Sequence, residues 1–377
     1  MSATAKILSS IRWKAGVLLV FFLAVCSVSA DQSWDGGAGN YDWFDKTNWN
    51  PETVPTMTDI ATISSGTSEG NPAVISNISQ KADSSEIRLG CGVGNSGYLT
   101  VYTDLGMSNT LKVGTNGIGQ LVQKGGLVYM EGNGYIDGRY DMQGGVAKLG
   151  LGNVTFSVGY TAGTTGLFYQ TGGVVTQGNY FHLGGKSNAY GRYEMNGGRF
   201  YGVQSFRLGA NGGQGHLLID TGLGGSPDPA TNYNFSADVF TVGYEATAPG
   251  VVSIAEIKSG IFVCRYQGSM KIGDMADGAF IQSGGKVFLD QRVDLTISTT
   301  NNGAGYYEIG GTSELYVGRS LYVGESFATS AVFKVRGSSI SSIKVGYEVE
   351  AADCVIGSNG TLAVELDGGG VTQIESK

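Results

Sequence analysis

The chain has 377 residues, a formal net charge of −8, 63 glycines, 10% aromatic residues and only 15% Asp, Glu, Lys and Arg. That acidic balance speaks against a nucleic-acid binder, which needs a clustered excess of Lys and Arg to neutralise phosphates. Regular apolar spacing and the many Tyr and Phe speak against the disordered low-complexity chain that so much glycine otherwise suggests.

Residues 1–30 read as a secretory signal. Lys6, Arg12 and Lys14 form a positive start, Ala15 to Cys26 is an apolar run too short to span a bilayer comfortably, and Val28-Ser29-Ala30 is a small-residue cleavage site. A lipoprotein signal at Cys26 and an uncleaved anchor are the rival readings; Val25 stands where the first of these expects a small residue. Cleavage near Ala30 places the mature chain outside the cell or at its surface, with no membrane span left. It also removes three cations and no acid, so the formal charge of −8 becomes −11.

Residues 31–84 read as an N-terminal cap with the first coil or coils. All the tryptophans of the mature chain sit here, Trp34, Trp43 and Trp49, in a proline-interrupted leader. The first unit of a stacked fold exposes its core and a strand edge, and an aromatic leader covers both. The alternative is a sugar-stacking platform. Burial of the trio favours the cap, and exposure favours the platform.

From 85 to 377 one short phrase recurs: an apolar residue, a variable residue, an apolar residue and glycine. It appears at Ile87–Gly90, Leu111–Gly114, Phe156–Gly159, Phe181–Gly184, Phe206–Gly209, Phe240–Gly243, Met270–Gly273, Leu321–Gly324 and Ile343–Gly346. The steps between phrase glycines from Gly90 to Gly273 are 24, 24, 21, 25, 25, 34 and 30, counting an imperfect copy at Gly138, where Asp137 replaces an apolar residue. The copy ending at Ser298 lacks its glycine, and the longest step holds a proline loop at 225–229. A second signature ends in Gly-Gly, as in Leu121–Gly126, Tyr140–Gly145, Phe168–Gly173, Tyr193–Gly198 and Phe280–Gly285. Counting back from the glycine pair, the fourth position is large and mostly aromatic. The second is Gln123, Met142, Gln170, Met195 or Gln282, and the third follows no rule. Strand alternation puts the fourth and second positions inside and the third in solvent. The inward glutamines then need partners for their amides, from a turn backbone or from neighbours. A further apolar strand follows each pair.

Three short strands in about 24 residues is one coil of an all-β, right-handed parallel β-helix, the hand following from the usual chirality of parallel crossovers. The leader WDGGAG…W…NWNP…VP and the LxVGxxGxGxLxQxGG repeats resemble secreted bacterial β-helix proteins with autotransporter-passenger-like repeats. The resemblance spans nearly all of residues 31–377 and implies a cell-surface or secreted role. Two departures stand out. There is no translocator of alternating membrane strands and no terminal sorting segment, so the repeats read as truncated at the C-terminus.

Chemistry-bearing motifs are few, and no cofactor or metal site is read. Cys91, Cys264 and Cys354 are an odd, widely spaced set that reads as small buried hydrophobes. His182 and His216 have no metal-like spacing and read as surface or edge residues. Asp141 and Glu194 share the third-position slot two coils apart with Tyr169 between them, and Asp220 reads as an acid in an inward slot. The central residue of the phrase faces outward, and five of ten copies carry a cation there: Arg88, Lys112, Arg207, Lys271 and Lys344. Stacked in one sheet, these form a basic stripe suited to an anionic extracellular polysaccharide or another cell-envelope component. The expected function is a non-catalytic structural or adhesin-like protein; the alternative is a β-helix polysaccharide lyase or glycoside hydrolase.

Overall fold

Each repeat lays down three strands that pair in parallel with the equivalent strands one coil earlier and one coil later. In the computed structural model this gives a β-solenoid of about 12 turns with about 26 residues per turn, against the 24 expected. The structure describes residues 31–150, 152–222, 233–245, 251–265, 268–299, 303–324, 330–337, 342–346, 353–366 and 373–376. The signal segment 1–30 and the proline loop at 225–229 lie outside them.

The phrase strands, such as Leu111–Val113, form one face of the coil. The strands leading to Gly-Gly, such as Ile118–Gln123, form a second, twelve-stranded sheet that we call the glutamine face. The strands after the glycine pair, such as Leu127–Met130, form the closing face. The phrase and closing faces merge into one sheet because Arg199–Leu208 and Phe235–Val242 run unbroken through the corner between them.

Inward positions of all three faces meet in one continuous core. The first apolar slot of the phrase becomes an aromatic column. Phe156, Phe181, Phe206 and Phe240 stack with successive ring centroids 5.2, 4.9 and 5.7 Å apart. The phrase glycine is the corner. Gly90 has φ +57°, and a Cβ there would lie 1.7 Å from the carbonyl oxygen of Ile118 on the next coil. Ser298 holds the same left-handed corner at φ +57° without being glycine, and its hydroxyl donates to the Gly303 carbonyl at 2.7 Å.

The imperfect copy is one residue out of the sequence register. Tyr135 is the phrase centre, paired with Lys112 and Ser157, so Asp137 rather than Gly138 stands at the corner. Its buried carboxylate accepts from the backbone N–H groups of Tyr160 and Thr161 at 2.7 and 2.8 Å. The hydroxyls of Thr161 and Thr164 donate to it at 2.7 and 2.8 Å. These donors replace the fit that glycine supplies elsewhere.

At the N-terminal end, Asp31–Trp34 pairs in parallel with Ile60–Ile63 and antiparallel with Trp49–Asn50. The three tryptophans are buried, and edge-to-face contacts of 5.1 and 4.7 Å place Trp49 between Trp34 and Trp43. The trio therefore fills the end of the core, which favours the cap over the platform. Among the described cysteines only Cys264 is buried. Cys91 is half-buried and Cys354, in the last described strand of the phrase face, is exposed.

Candidate functional site

The outward centres of the phrase do form a single column. In order it runs Thr62, Arg88, Lys112, Tyr135, Ser157, His182, Arg207, Thr241, Lys271, Thr296, Tyr322 and Val355. Lys344 is not in it. Its strand, Ser342–Val345, belongs to the closing face, where Lys344 pairs with Tyr316 and Glu375. The phrase pattern at 343–346 is a look-alike, because an apolar-x-apolar triplet followed by glycine also ends the closing strand Glu314–Val317 before Gly318.

The four remaining cations do not make a continuous band. Four coil steps, about 19 Å at the usual strand spacing, separate Lys112 from Arg207. Each cation also has a partner within the chain. Arg88 and Lys112 both bind Glu86 Oε1, at 2.6 and 2.8 Å. Burial works to raise the Glu86 carboxyl, but these two hydrogen bonds outweigh it and hold the group below its ordinary range. Lys271 lies 3.5 Å from Asp274. The Arg207 guanidinium stacks over Tyr244 at 4.0 Å and Tyr180 at 4.8 Å. Beside it, burial and the Arg207 charge push the half-buried His182 down to about 4.

The glutamine face has a different outward surface. Its central column carries Val122, Asp141, Tyr169, Glu194, Leu218, Glu256, Ile281 and Glu308 on eight successive coils. Asp141 and Glu194 thus share a slot with Tyr169 between them, as the spacing predicts. Each acid is tied to a neighbouring donor. Arg139 Nε bonds both oxygens of Asp141 at 2.8 Å, and Gln120 adds a bond of 2.7 Å. Arg192 holds Glu194 at 2.8 Å. His216 Nε2 is 2.8 Å from Glu256, while its Nδ1 is 3.2 Å from the Tyr190 hydroxyl. Glu308 pairs with Arg336 at 3.0 Å and accepts from the Tyr306 hydroxyl, which burial and this bond push up to about 12.

The Tyr190–His216–Glu256 chain escapes sequence reasoning, since its members stand 26 and 40 residues apart. Only the coil register brings them together. Asp220 is a correction. Ile219 occupies the inward slot beside Met195, and Asp220 is exposed and accepts from the Ser259 hydroxyl at 2.8 Å. A register shift after Ile219 moves the following glycine one place, which misleads a count taken back from it.

Two depressions lie on this same face. One, of about 480 Å³, runs between the segment Glu69–Pro72 and the first strands of the sheet, lined by Tyr98, Tyr102, Lys124, Arg139 and Asp141 among others. The other, of about 280 Å³, lies further along the axis around Ala279, Tyr306 and Val332. No family model, curated protein or solved structure matches this chain.

Proposed function

We propose that this protein is a non-catalytic secreted or cell-surface structural rod, adhesin-like in role, that holds extracellular polysaccharide against its glutamine face. The observation that carries the reading is one sheet whose outward surface holds both depressions beside the column of paired charges, the first lined by Tyr98, Tyr102 and Asp141 and the second by Tyr306. Sugars are amphipathic rings, so aromatic faces and fixed donor–acceptor pairs suit them. Carboxylates already bonded to Arg139 and Arg192 offer directed polar edges. The phrase column supports the reading less, because its cations are engaged by Glu86, Asp274 and tyrosine rings.

A polysaccharide array, read for both retained glycan and released product, tests this. Retention without product is expected. Absence of retention on every glycan would overturn the reading. A Lys112→Gln/Arg207→Gln/Lys271→Gln variant is expected to retain the same glycans.

A glycan-active enzyme is the second reading, and the Tyr190–His216–Glu256 chain favours it. Glu256 orients His216 as a base, while burial raises the Tyr190 hydroxyl and keeps it protonated as a donor. Product released by the native chain and lost in His216→Gln would establish that reading instead.

A further inference from the structure

We propose that the ligand is a linear, extended β-1,4-linked polysaccharide lying parallel to the solenoid axis, one sugar per coil, with a two-sugar repeat matched to a two-coil repeat of the surface. This rests on the glycan-holding reading above and names its ligand class.

The argument starts from the central column of the glutamine face. Asp141, Glu194, Glu256 and Glu308 stand on alternate coils, and Tyr169, Leu218 and Ile281 fill the three coils between; Val122 precedes the first acid, and the alternation ends with Thr100 before Val122 and Lys334 after Glu308. Charge repulsion accounts for keeping acids off adjacent coils. It does not account for the intervening residue being aliphatic or aromatic every time, since Ser, Thr, Asn or Lys would separate the acids as well. From Val122 to Glu308 the surface therefore repeats every two coils.

That period has a length. Adjacent parallel strands lie about 4.8 Å apart, so the pattern repeats about every 9.6 Å. One coil step is close to the length of one sugar in an extended chain. In a β-1,4-linked chain each sugar is flipped relative to the last, so every second sugar presents the same edge. A rod whose coils alternate between a bonded carboxylate and an apolar side chain presents the same alternation. The Arg192 guanidinium holds Glu194 at 2.8 Å on one charged coil, as Arg139 holds Asp141 on another. The 4.8 Å stacking of Arg139 over Tyr169 joins one charged coil to the apolar coil after it. A helical or branched glycan cannot keep this register over several coils.

The test uses the full chain with β-1,4-linked glucose and N-acetylglucosamine oligosaccharides of two to eight units, and α-1,4-linked glucose oligosaccharides of the same lengths. Affinity for at least one β-linked series is expected to rise in steps, about three-fold or more at each even length and little at each odd one. Removing one charged rank as a pair, in Arg192→Met/Glu194→Met, is expected to weaken the six-unit ligand at least ten-fold, with Lys271→Gln unchanged. The length series on the native chain stands alone if the double variant does not fold. A smooth rise with length, equal binding of the α-linked series, or binding only of glycans outside these series overturns the register while leaving the glycan-holding reading intact. Binding of no glycan overturns both.

Discussion

The hydroxyl of Tyr140 donates a 2.6 Å hydrogen bond to Gln123 Oε1 on the preceding coil, and both side chains are buried. The other end of the Gln123 amide closes the turn, donating to the Val146 carbonyl at 3.0 Å and to Gly126 at 3.3 Å. The unit recurs. Gln170 bonds Arg199 O and accepts from Tyr193, and Gln282 bonds Glu314 O and accepts from Tyr307 at 2.8 Å. Where the preceding coil carries Met142 instead, the aromatic is Phe168. Tyrosine thus follows glutamine in all three units, while Phe168 follows Met142 and Leu217 follows Met195.

Tyr140→Phe should leave the Gln123 oxygen buried without a partner and cost about 1–3 kcal/mol. Adding Gln123→Met copies the Met142–Phe168 arrangement and should recover most of that loss. Denaturant unfolding of the two single variants and the double variant measures the coupling; additive losses would show that the pair is not a unit.

Much of this was legible in the sequence, because a solenoid repeats its local rules. The inward glutamines, the corner glycines, the three strands per coil and the two-coil separation of Asp141 from Glu194 all follow from periodicity. What escaped depends on register between coils. Lys344 carries the phrase pattern but sits on another face, Asp220 is displaced by one residue, and His216 meets Glu256 only through stacking. A single sequence shows the spacing within a coil better than the offset between coils.

The corner tolerates one exchange and not another. Ser298→Gly removes left-handed strain but also the bond to Gly303, so it should be near neutral, within about 0.5 kcal/mol. Ser298→Ala keeps the strain and loses the bond, costing about 1–2 kcal/mol. Gly90→Ala, with its Cβ driven into the Ile118 carbonyl, should cost at least about 2 kcal/mol. Thermal midpoints rank the three.

His182 supplies a pH dependence of definite sign. Its folded pKa of about 4 lies below the ordinary 6.5, so the unfolded chain binds its proton first. Stability from this residue is complete above about pH 6.5 and declines as pH falls towards 4. NMR titration of the ring should show no midpoint above pH 5. In Arg207→Met the midpoint should rise, since a neighbouring positive charge has been removed.

Glu86 acts in a lower window. Its depressed carboxyl contributes stability above the ordinary carboxylate range, lost as pH falls through the folded value. Glu86→Gln removes the shared partner of Arg88 and Lys112 and should cost about 1–2 kcal/mol at pH 7. That cost should shrink as the pH is lowered, which chemical unfolding at pH 7 and pH 3 compares directly.

The tryptophan plug should be local in its effect. Trp49→Ala opens a cavity between Trp34 and Trp43 and should cost about 3–5 kcal/mol at that end. Coupling between coils is nearest-neighbour, so amide exchange should quicken from Asp31 to about Leu89 and change little beyond Phe156.

The parallel ladders also fix how the rod meets a load. Their hydrogen bonds point along the axis, so a pull along it opens one coil's bonds at a time, while a push across it falls on covalent chain. Each coil that opens exchanges about 4.8 Å of rod for about 26 residues of slack, roughly 90 Å when extended. An anchored rod of this kind lengthens in small yielding steps under tension rather than snapping free.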